Sequence, residues 1–291
     1  MKILIGIPAF NEEKNIGSII ANIKKKYSEI LVCDDGSSDN TKLIATNMGA
    51  NVISHSTNLG YGSAIKTIFN HAKKMDFDIL VTFDSDGQHI ISEIDSVVKP
   101  IIENKSDIVI GSRFLKSSKN IPKYRKFGIK TITTLTNVAT GNDLSDSQSG
   151  FRAYSRSVID KISLVESGMG ISTEILIKAS KNNFSITEVP ITVIYHENSH
   201  SQKPISHGTS VVISTIKHVA IERPLLYYGV TGICFLILGL IFGGWALHVY
   251  SEENRVITNI ALIGIGGVIL GTILLISATI LYSINTLIRE K

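Results

Sequence analysis

The chain has 291 residues, of which 44% are hydrophobic and 19% are charged, and its formal net charge is +4. This composition supports one sizeable folded domain together with a further apolar part. The two cysteines, Cys33 and Cys234, fall in a predicted strand and a predicted membrane helix, which argues against a disulfide-stabilised fold and for reduced, small apolar side chains.

Strand and helix patterns alternate from the first residues onward. Predicted strands cover 2–8, 29–33, 51–54, 79–83 and 108–110, and predicted helices cover 12–26, 40–48, 61–75 and 91–103. This order predicts an α/β domain with a mostly parallel sheet covered by helices on both faces. A less regular half follows, with a helix near 172–182 and a strand near 186–195. A last amphipathic helix over 211–222 is expected to lie on a membrane surface.

The fourth predicted strand leads into the most informative segment. Its apolar run ends in Asp84 and Asp86, two carboxylates two residues apart, and Gln88 follows. Ligands of an open α/β sheet lie beyond the carboxyl ends of its strands, where paired carboxylates suit Mg²⁺ or Mn²⁺ bound to substrate phosphates. Such an ion would neutralise a diphosphate leaving group, which points to nucleotide-linked substrates. A turn or helix cap is the alternative, whereas an EF-hand fits poorly because its closing Glu is replaced by Asp95.

Polar side chains also follow the first two strands, in the sequences P-A-F-N-E-E and D-D-G-S-S-D-N-T. Asp34 and Asp35 can accept hydrogen bonds from a base or a ribose, whereas Asp39 or Asn40 is expected to cap the next helix. Segment 58–62 is similar to a glycine-rich phosphate loop, but it lacks the third glycine of a dinucleotide-binding motif.

Four motifs therefore occur in the order P-x-x-N-E, D-D-G-S-x-D-x-T, N-x-G-x-G-x-A and D-x-D-G-Q-H. In this order they resemble the family 2 glycosyltransferases, whose fold is GT-A. The later motifs G-S-R-F and D-S-Q-S-G-F-R narrow the resemblance to polyprenyl-phosphate hexosyltransferases of the dolichol-phosphate mannose synthase type. The resemblance implies transfer of one hexose from a UDP- or GDP-sugar to dolichyl or polyprenyl phosphate, assisted by Mg²⁺ or Mn²⁺. The product would supply lipid-linked sugar for protein glycosylation or cell-surface glycans.

The resemblance also implies a set of site residues. Asp84, Asp86 and Gln88 would surround the metal. Arg113 would face the phosphates, and Glu174 would be an acid near the sugar or the acceptor. The residues expected to hold the nucleotide sugar are Pro8, Phe10, Glu12, Asp35 and Asp84. The stretch after Pro190 lacks the Arg-rich, Gly-Ser-Lys ending of many mannose synthases, so a UDP-sugar is at least as well supported as GDP-mannose.

Between Asp107 and Asp143 lies a basic region that contains no acidic residue. Because the guanidinium fork suits phosphate, Arg113 and Arg125 are predicted to bind the acceptor phosphate. For any single lysine, a solvated loop or a patch for anionic headgroups is the alternative. The region lacks interleaved aromatic residues, so nucleic-acid binding is not predicted. Its basic residues are Arg113, Lys116, Lys119, Lys123, Arg125, Lys126 and Lys130; further along, Lys203 is the predicted diphosphate contact.

Three functions remain open at this level. A phosphate monoester is largely ionised at neutral pH, with a second pKa of roughly 6, so it needs no protein base to attack the sugar. An enzyme that extends a lipid-linked or surface glycan at a sugar hydroxyl would need a base, for which Asp146 or Glu174 is the candidate. A nucleotide-sugar-binding module without catalysis is disfavoured because Asp84, Asp86 and Arg113 are all present.

The C-terminal part is predicted to be a membrane hairpin. Runs 225–250 and 256–288 contain no Asp, Glu, Lys or Arg, and each exceeds the roughly 20 apolar residues that cross a bilayer. The basic ends of the hairpin and its acidic loop predict that the N-terminal domain lies in the cytoplasm, and the first residues do not resemble a signal peptide. The predicted division is a catalytic domain over 1–203, a juxtamembrane segment over 204–224 and the hairpin over 225–291. Glycines expected to bring the two helices together are Gly239, Gly243, Gly244, Gly264, Gly266, Gly267 and Gly271.

Overall fold

The computed structural model describes residues 1–115, 122–194, 220 and 224–289. Side chains at 123, 124 and 285–289 are outside this description. The chain divides into two compact units, Met1–Thr215 and Ile216–Lys291. The predicted juxtamembrane segment lies almost wholly outside the described residues, so the limits at 203 and 224 stay predictions.

The N-terminal unit is built on one seven-stranded sheet. The strand order is β3-β2-β1-β4-β6-β5-β7, and every neighbouring pair is parallel except those that involve β6. The mostly parallel sheet expected from the sequence is therefore confirmed. The strands are β1 (Ile3–Ala9), β2 (Ile30–Asp34), β3 (Asn51–Ser54), β4 (Ile79–Thr82), β5 (Ile108–Ser112), β6 (Arg152–Ser155) and β7 (Ile186–Pro190).

Helices cover both faces of this sheet. One core contains side chains of α3, α6 and α7, and the other contains side chains of α1 and α4. Alternation along the strands divides the apolar residues between them: Leu4 lies in the first core, and Ile5 and Ile7 lie in the second. The helices are α1 (Ile16–Ile23), α2 (Thr41–Asn47), α3 (Tyr61–Lys74), a 3-10 turn (Ile91–Glu93), α4 (Ile94–Ile102), α5 (Lys123–Thr140), α6 (Arg156–Lys161) and α7 (Ile171–Lys181).

Two elements differ from the sequence-based expectation. Strand β6 was not predicted, because it has only four residues and begins with Arg152, which is 1% exposed. Helix α1 begins at Ile16 rather than near residue 12. Asn11 has a φ of 55°, and the amide of Glu12 donates to Thr41 Oγ1 at 2.7 Å, so the first loop is bound to the start of α2 instead of continuing a helix.

The C-terminal unit contains two long apolar helices, α8 (Val230–Glu253), which continues a π-helical turn at Leu225–Gly229, and α9 (Thr258–Arg289). Both are long and apolar enough to cross a membrane, over Leu225–Glu253 and Thr258–Ile284. Their backbones touch at glycines. A Cβ added at Gly239 would lie 2.5 Å from the Val268 nitrogen, and one added at Gly267 would lie 2.8 Å from the Gly239 Cα.

These contacts confirm the predicted close approach for part of the glycine set. Gly264 and Gly271 also leave no room for a side chain, and Gly232, which the sequence analysis did not select, faces the Gly271 carbonyl oxygen. Gly244 and Gly266 have no neighbouring atom within 4 Å of an added Cβ, so the predicted role does not extend to them.

Candidate active site

The loops after β1 and β2 are linked by hydrogen bonds at the carboxyl edge of the sheet. The Glu13 amide donates to Asp39 Oδ2 at 3.1 Å, and the Asn40 amide donates to Glu13 Oε2 at 3.1 Å. Asp39 also accepts the Thr41 amide at 2.9 Å, so it stabilises the start of α2 as expected. These contacts hold the loop that carries Glu12.

Two other residues of this loop, Pro8 and Phe10, were expected to hold the nucleotide. Pro8 is the penultimate residue of β1, and its carbonyl oxygen accepts a hydrogen bond from the Ser85 hydroxyl at 2.8 Å. Phe10 directly follows the strand and is half-buried. The Ser85 bond ties the end of β1 to the residue between the two aspartates, so these loops share one edge.

Asp35 lies just beyond β2 and is 4% exposed. Its Oδ1 lies 2.6 Å from His55 Nδ1 and accepts the Leu59 amide at 3.0 Å, while Oδ2 accepts the Gly60 amide at 2.8 Å. Both carboxylate oxygens thus bind the loop that leads into α3. Asp34 is 3% exposed and accepts the Ser37 amide at 3.3 Å.

Asp84 follows β4, and its two oxygens accept from different side chains. The Tyr61 hydroxyl donates to Oδ1 at 3.1 Å, and His89 Nε2 lies 3.2 Å from Oδ2. Burial alone would raise the pKa of Asp84, but the hydrogen bond and charge of His89, the Tyr61 hydroxyl and the charge of Arg113 lower it. Asp84 is therefore held in its ionised form.

Asp86 has the opposite electrostatic environment. Its Oδ1 accepts the Gln88 amide at 3.0 Å. Burial and then the charge of Asp84 raise the pKa of Asp86, which the Gln88 amide and the charges of His89 and Arg125 only partly offset. Burial also raises the pKa of Glu12, and the charge of Asp86 contributes. The charge of Asp86 therefore opposes those of Asp84 and Glu12, which favours a bound cation.

This donor set fits a divalent metal that takes part of its coordination from a substrate. Among the described residues, no three His, Cys, Asp or Glu side chains converge into a metal site made by protein alone. Mg²⁺ and Mn²⁺ sites that use one or two carboxylates with phosphate oxygens and water do not require one. The assignment of Asp84, Asp86 and Gln88 to a metal stays a prediction.

Arg113, at the end of β5, is bound to a buried carboxylate. Its Nε donates to Asp146 Oδ2 at 2.6 Å and its Nη2 to Oδ1 at 2.7 Å, and Asp146 is 0% exposed. The amides of Ser145 and Asp146 donate to Glu188 at 2.8 Å each. Burial opposes ionisation of Asp146, but the charge and hydrogen bonds of Arg113 lower its pKa. Arg113 is thus fixed in direction, and its charge also acts on Asp84.

Arg125, in the first turns of α5, is half-buried, and its charge lowers the pKa of Asp86. The charge of Arg113 thus lowers the pKa of Asp84, and the charge of Arg125 lowers that of Asp86. Lys203, Lys116 and Lys119, which the sequence also selected, lie outside the described residues.

Glu174 lies in the first turn of α7 and is 2% exposed. Its oxygens accept the amides of Val165 and Glu166, both at 2.9 Å, and the ammonium of Lys178 at 2.6 Å. Its carboxylate is occupied by the protein itself, so its predicted contact with sugar or acceptor has no support in these bonds.

Sequence reasoning missed Tyr61, His89 and Gly150. A Cβ at Gly150 would lie 2.5 Å from Asp84 Oδ2 and 2.6 Å from the Tyr61 hydroxyl, so the Gly150 backbone forms one wall around Asp84. All three residues fall inside motifs already recognised: N-x-G-x-G-x-A, D-x-D-G-Q-H and D-S-Q-S-G-F-R. The signal was the motif itself, since none of the three was singled out by a carboxylate or guanidinium group.

Comparison with known proteins extends these observations. The profile described as glycosyl transferase family 2 matches residues 4–163. The chain is 37% identical over 229 residues to a UDP-N-acetylglucosamine–dolichyl-phosphate N-acetylglucosaminyltransferase of Methanococcus voltae, a match that covers 71% of this chain and 89% of that protein. It is 32% identical over 219 residues to a dolichyl-phosphate hexose transferase of Haloferax volcanii, covering 74% of this chain and 92% of that protein.

Among solved structures, the glucosyl-3-phosphoglycerate synthase of Mycobacterium tuberculosis in complex with Mn²⁺, uridine diphosphate and phosphoglyceric acid has the same fold. The TM-score is 0.60 at 21% sequence identity, and the match covers 75% of this chain and 78% of that chain.

Proposed function

We propose a function for this chain, which belongs to glycosyl transferase family 2. The enzyme transfers a single hexose from a nucleotide sugar to dolichyl phosphate at a membrane. The names of the Methanococcus and Haloferax relatives both include dolichyl phosphate, which supports a lipid phosphate as the acceptor. The first name also includes UDP-N-acetylglucosamine, so a UDP-sugar is the first donor to test.

The observation that carries this proposal is the arrangement of charges at the carboxyl edge of the sheet. Asp84 and Asp86 lie close enough to raise the pKa of Asp86, and the charges of Arg113 and Arg125 act on this pair. Carboxylates that repel one another favour a cation, and neighbouring guanidinium groups favour phosphates. A donor diphosphate with its divalent ion, next to an acceptor phosphate, satisfies both.

A bound Mg²⁺ or Mn²⁺, held by Asp84, Asp86 and Gln88, would neutralise charge on the leaving diphosphate. The protein's own task is then to orient the reactants. Arg113 is held by Asp146 with both carboxylate oxygens, which leaves its direction fixed before substrate binds. This preorganisation suits stabilisation of a phosphate by a charge that does not have to rearrange.

The acceptor chemistry follows from the state of the two candidate bases. Asp146 is fully buried against Arg113, and Glu174 is bound by two backbone amides and Lys178. A carboxylate whose oxygens are already bound by donors of the protein is poorly placed to take a proton from an incoming hydroxyl. A phosphate acceptor, largely ionised at neutral pH with a second pKa of roughly 6, does not need that step. These contacts favour lipid phosphate over a sugar hydroxyl.

We also propose that the catalytic unit faces the cytoplasm and that the two C-terminal helices span the membrane. The helices are long enough, and Glu252 and Glu253 end α8 next to its connection with α9, while Arg289 ends α9 and Lys291 follows in the sequence. The predicted limits, a catalytic domain ending near residue 203 and a juxtamembrane segment over 204–224, belong to this proposal.

The direct test is incubation of membranes that contain the protein with a panel of radiolabelled UDP- and GDP-sugars and dolichyl phosphate, followed by lipid extraction. We expect one labelled lipid whose sugar is attached directly to a monophosphate. Label attached to a sugar hydroxyl of an existing lipid-linked glycan would contradict the proposal.

The metal assignment is tested by Asp86→Ala. This variant should lose transfer while remaining folded and membrane-bound, because the carboxylate is needed only when metal and diphosphate bind. Asp95→Ala is the matched control, since Asp95 lies on the surface of α4 and forms an ion pair with Lys26. Undiminished transfer by Asp86→Ala, or by the wild type in excess EDTA, would exclude the metal site.

A further inference from the structure

Glu174 is a buried carboxylate, and its hydrogen bonds all go to groups of the protein itself. Both of its oxygens bind the segment that precedes α7, through the Val165 and Glu166 amides. Lys178, one turn later, pairs with Glu174 at 2.6 Å and also donates to the Ser163 carbonyl oxygen. The carboxylate therefore fixes the path of the loop over residues 165–168, which we call the α7 loop.

The α7 loop lies directly on the start of α3. The Ser63 amide donates to the Ser167 carbonyl oxygen at 3.2 Å. A Cβ at Gly60 would lie 2.6 Å from that same oxygen, and one at Gly62 would lie 2.6 Å from the carbonyl oxygens of Glu166 and Gly168. The glycines on both sides of Tyr61 are thus in backbone contact with the α7 loop, so a shift of the loop must shift Tyr61.

Tyr61 in turn connects this contact to the proposed metal site. Its hydroxyl donates to Asp84 Oδ1 at 3.1 Å, while Asp35 holds the two preceding amides, those of Leu59 and Gly60. The backbone of residues 59–62 is therefore held from two sides, by Asp35 and by the α7 loop. Little freedom remains for the tyrosine ring to change its reach towards Asp84.

We infer that Glu174 is a positioning residue for the metal ligand Asp84: it fixes the α7 loop, the loop fixes the start of α3, and the Tyr61 hydroxyl then orients the Asp84 carboxylate. This inference rests on the proposed function, because it takes Asp84 to be a metal ligand. Groups that hydrogen-bond a metal's ligands typically change metal affinity by about 10- to 100-fold when removed.

The test measures Mn²⁺ affinity of the full chain in detergent, in the presence of UDP, from the free-Mn²⁺ electron paramagnetic resonance signal. Glu174→Gln keeps the size of the side chain. Because a backbone N–H faces each of the two carboxylate oxygens, the NH₂ group of the glutamine would meet another hydrogen-bond donor in either orientation. We expect about tenfold weaker Mn²⁺ binding in this variant and in Tyr61→Phe. The double variant should be no weaker than the single ones, because both act on the same link.

The matched control is Asp107→Asn. Asp107 also accepts a backbone amide, that of Ser185 at 2.9 Å, but it precedes β5 and therefore lies at the opposite edge of the sheet. Both carboxylate variants should lower the unfolding temperature, and only Glu174→Gln should weaken Mn²⁺ binding. If Glu174→Gln does not fold, Lys178→Met removes the ion pair and the bond to Ser163, keeps the bonds from Glu174 to the Val165 and Glu166 amides, and should weaken Mn²⁺ binding in the same direction.

Three outcomes would overturn the inference. Unchanged Mn²⁺ affinity in Glu174→Gln, with a lowered unfolding temperature, would leave Glu174 with a stabilising role only. Additive losses in the double variant would mean that the effect of Glu174 does not pass through Tyr61. Mn²⁺ binding by the wild type that Asp86→Ala leaves unchanged would overturn the metal site itself, and the proposed function would then fail together with the inference.

Discussion

Asp84 and Asp86 are two residues apart, yet they differ in their hydrogen bonds and in the direction in which their pKa is shifted. The Tyr61 hydroxyl donates to one oxygen of Asp84, and His89 Nε2 lies within hydrogen-bond distance of the other. These contacts lower the pKa of Asp84. Asp86 receives one from a backbone amide, and its pKa is raised by burial and by the charge of Asp84. The first carboxylate is thus oriented in advance, whereas the second gains most from an added positive charge.

Gly150 provides a sharp test of that orientation. In Gly150→Ala the new methyl would approach Asp84 Oδ2 to 2.5 Å, and the chain there cannot retreat, because buried Arg152 binds the carbonyl oxygens of Ser147 and Ser149. We expect a loss of transfer and of Mn²⁺ affinity of about 10- to 100-fold, with the fold retained. Gly128→Ala, which has no neighbour within 4 Å, is the control. Equal kinetic constants for the two variants would contradict this account.

Most of the residues that the sequence alone selected for the site carry charge, and Pro8, Phe10 and Gln88 are the exceptions. Arg113 and Arg125 were selected as phosphate ligands, and the structure brings the effect of both to the aspartate pair. The sequence could not reveal that Asp146 occupies the fork of Arg113, or that Glu174 is saturated by amides. Those facts depend on contacts between segments distant in the chain, which spacing does not encode.

At the level of elements, periodicity and motif position predicted the parallel strands and most helices. Strands β1, β2 and β4 are buried on both faces and appear in the sequence as apolar runs. Strand β6 has the sequence R-A-Y-S, and the burial of its arginine depends on carbonyl acceptors at 147, 149 and 172. A local sequence pattern does not predict such a strand, because the hydrogen-bond partners of Arg152 lie outside the strand itself.

The glycine contact between α8 and α9 makes a testable distinction between two neighbouring positions. In Gly267→Ala the new methyl would meet the Gly239 backbone at 2.8 Å, whereas in Gly266→Ala it would meet nothing within 4 Å. We expect the first variant to lower the unfolding temperature in detergent. The second should be neutral or slightly stabilising, because alanine favours a helix over glycine by about 1 kcal/mol. The same shift in both would exclude tight backbone packing as the cause.

At the scale of the whole molecule, the candidate site and the two apolar helices belong to different compact units. Every described site residue belongs to the N-terminal unit. The C-terminal unit contributes two helices whose length and composition suit a bilayer. If the acceptor is a membrane lipid, the helices serve to keep the catalytic unit where that lipid is found.

A chain truncated after Lys203 tests this separation. It should bind a UDP-sugar in the presence of Mn²⁺, measured by calorimetry, because the sheet and its loops are complete by then. Transfer to long-chain dolichyl phosphate should collapse, while a short, water-soluble polyprenyl phosphate should still react. Equal use of both acceptors would mean that the helices do not help present the lipid, and loss of donor binding would place the domain limit elsewhere.

The reversed strand β6 has a consequence for the order in which the enzyme is made. It pairs with β4 and β5, and the Thr82 hydroxyl bonds the Gly150 carbonyl oxygen across 68 positions of sequence. Contacts this distant cannot form until the later partner has left the ribosome, and long-range pairing is slow. During synthesis Asp84 therefore lacks its Gly150 contact until the segment that leads into β6 has emerged. Because β6 precedes the first apolar helix in the sequence, this contact can form before the two apolar helices have been made.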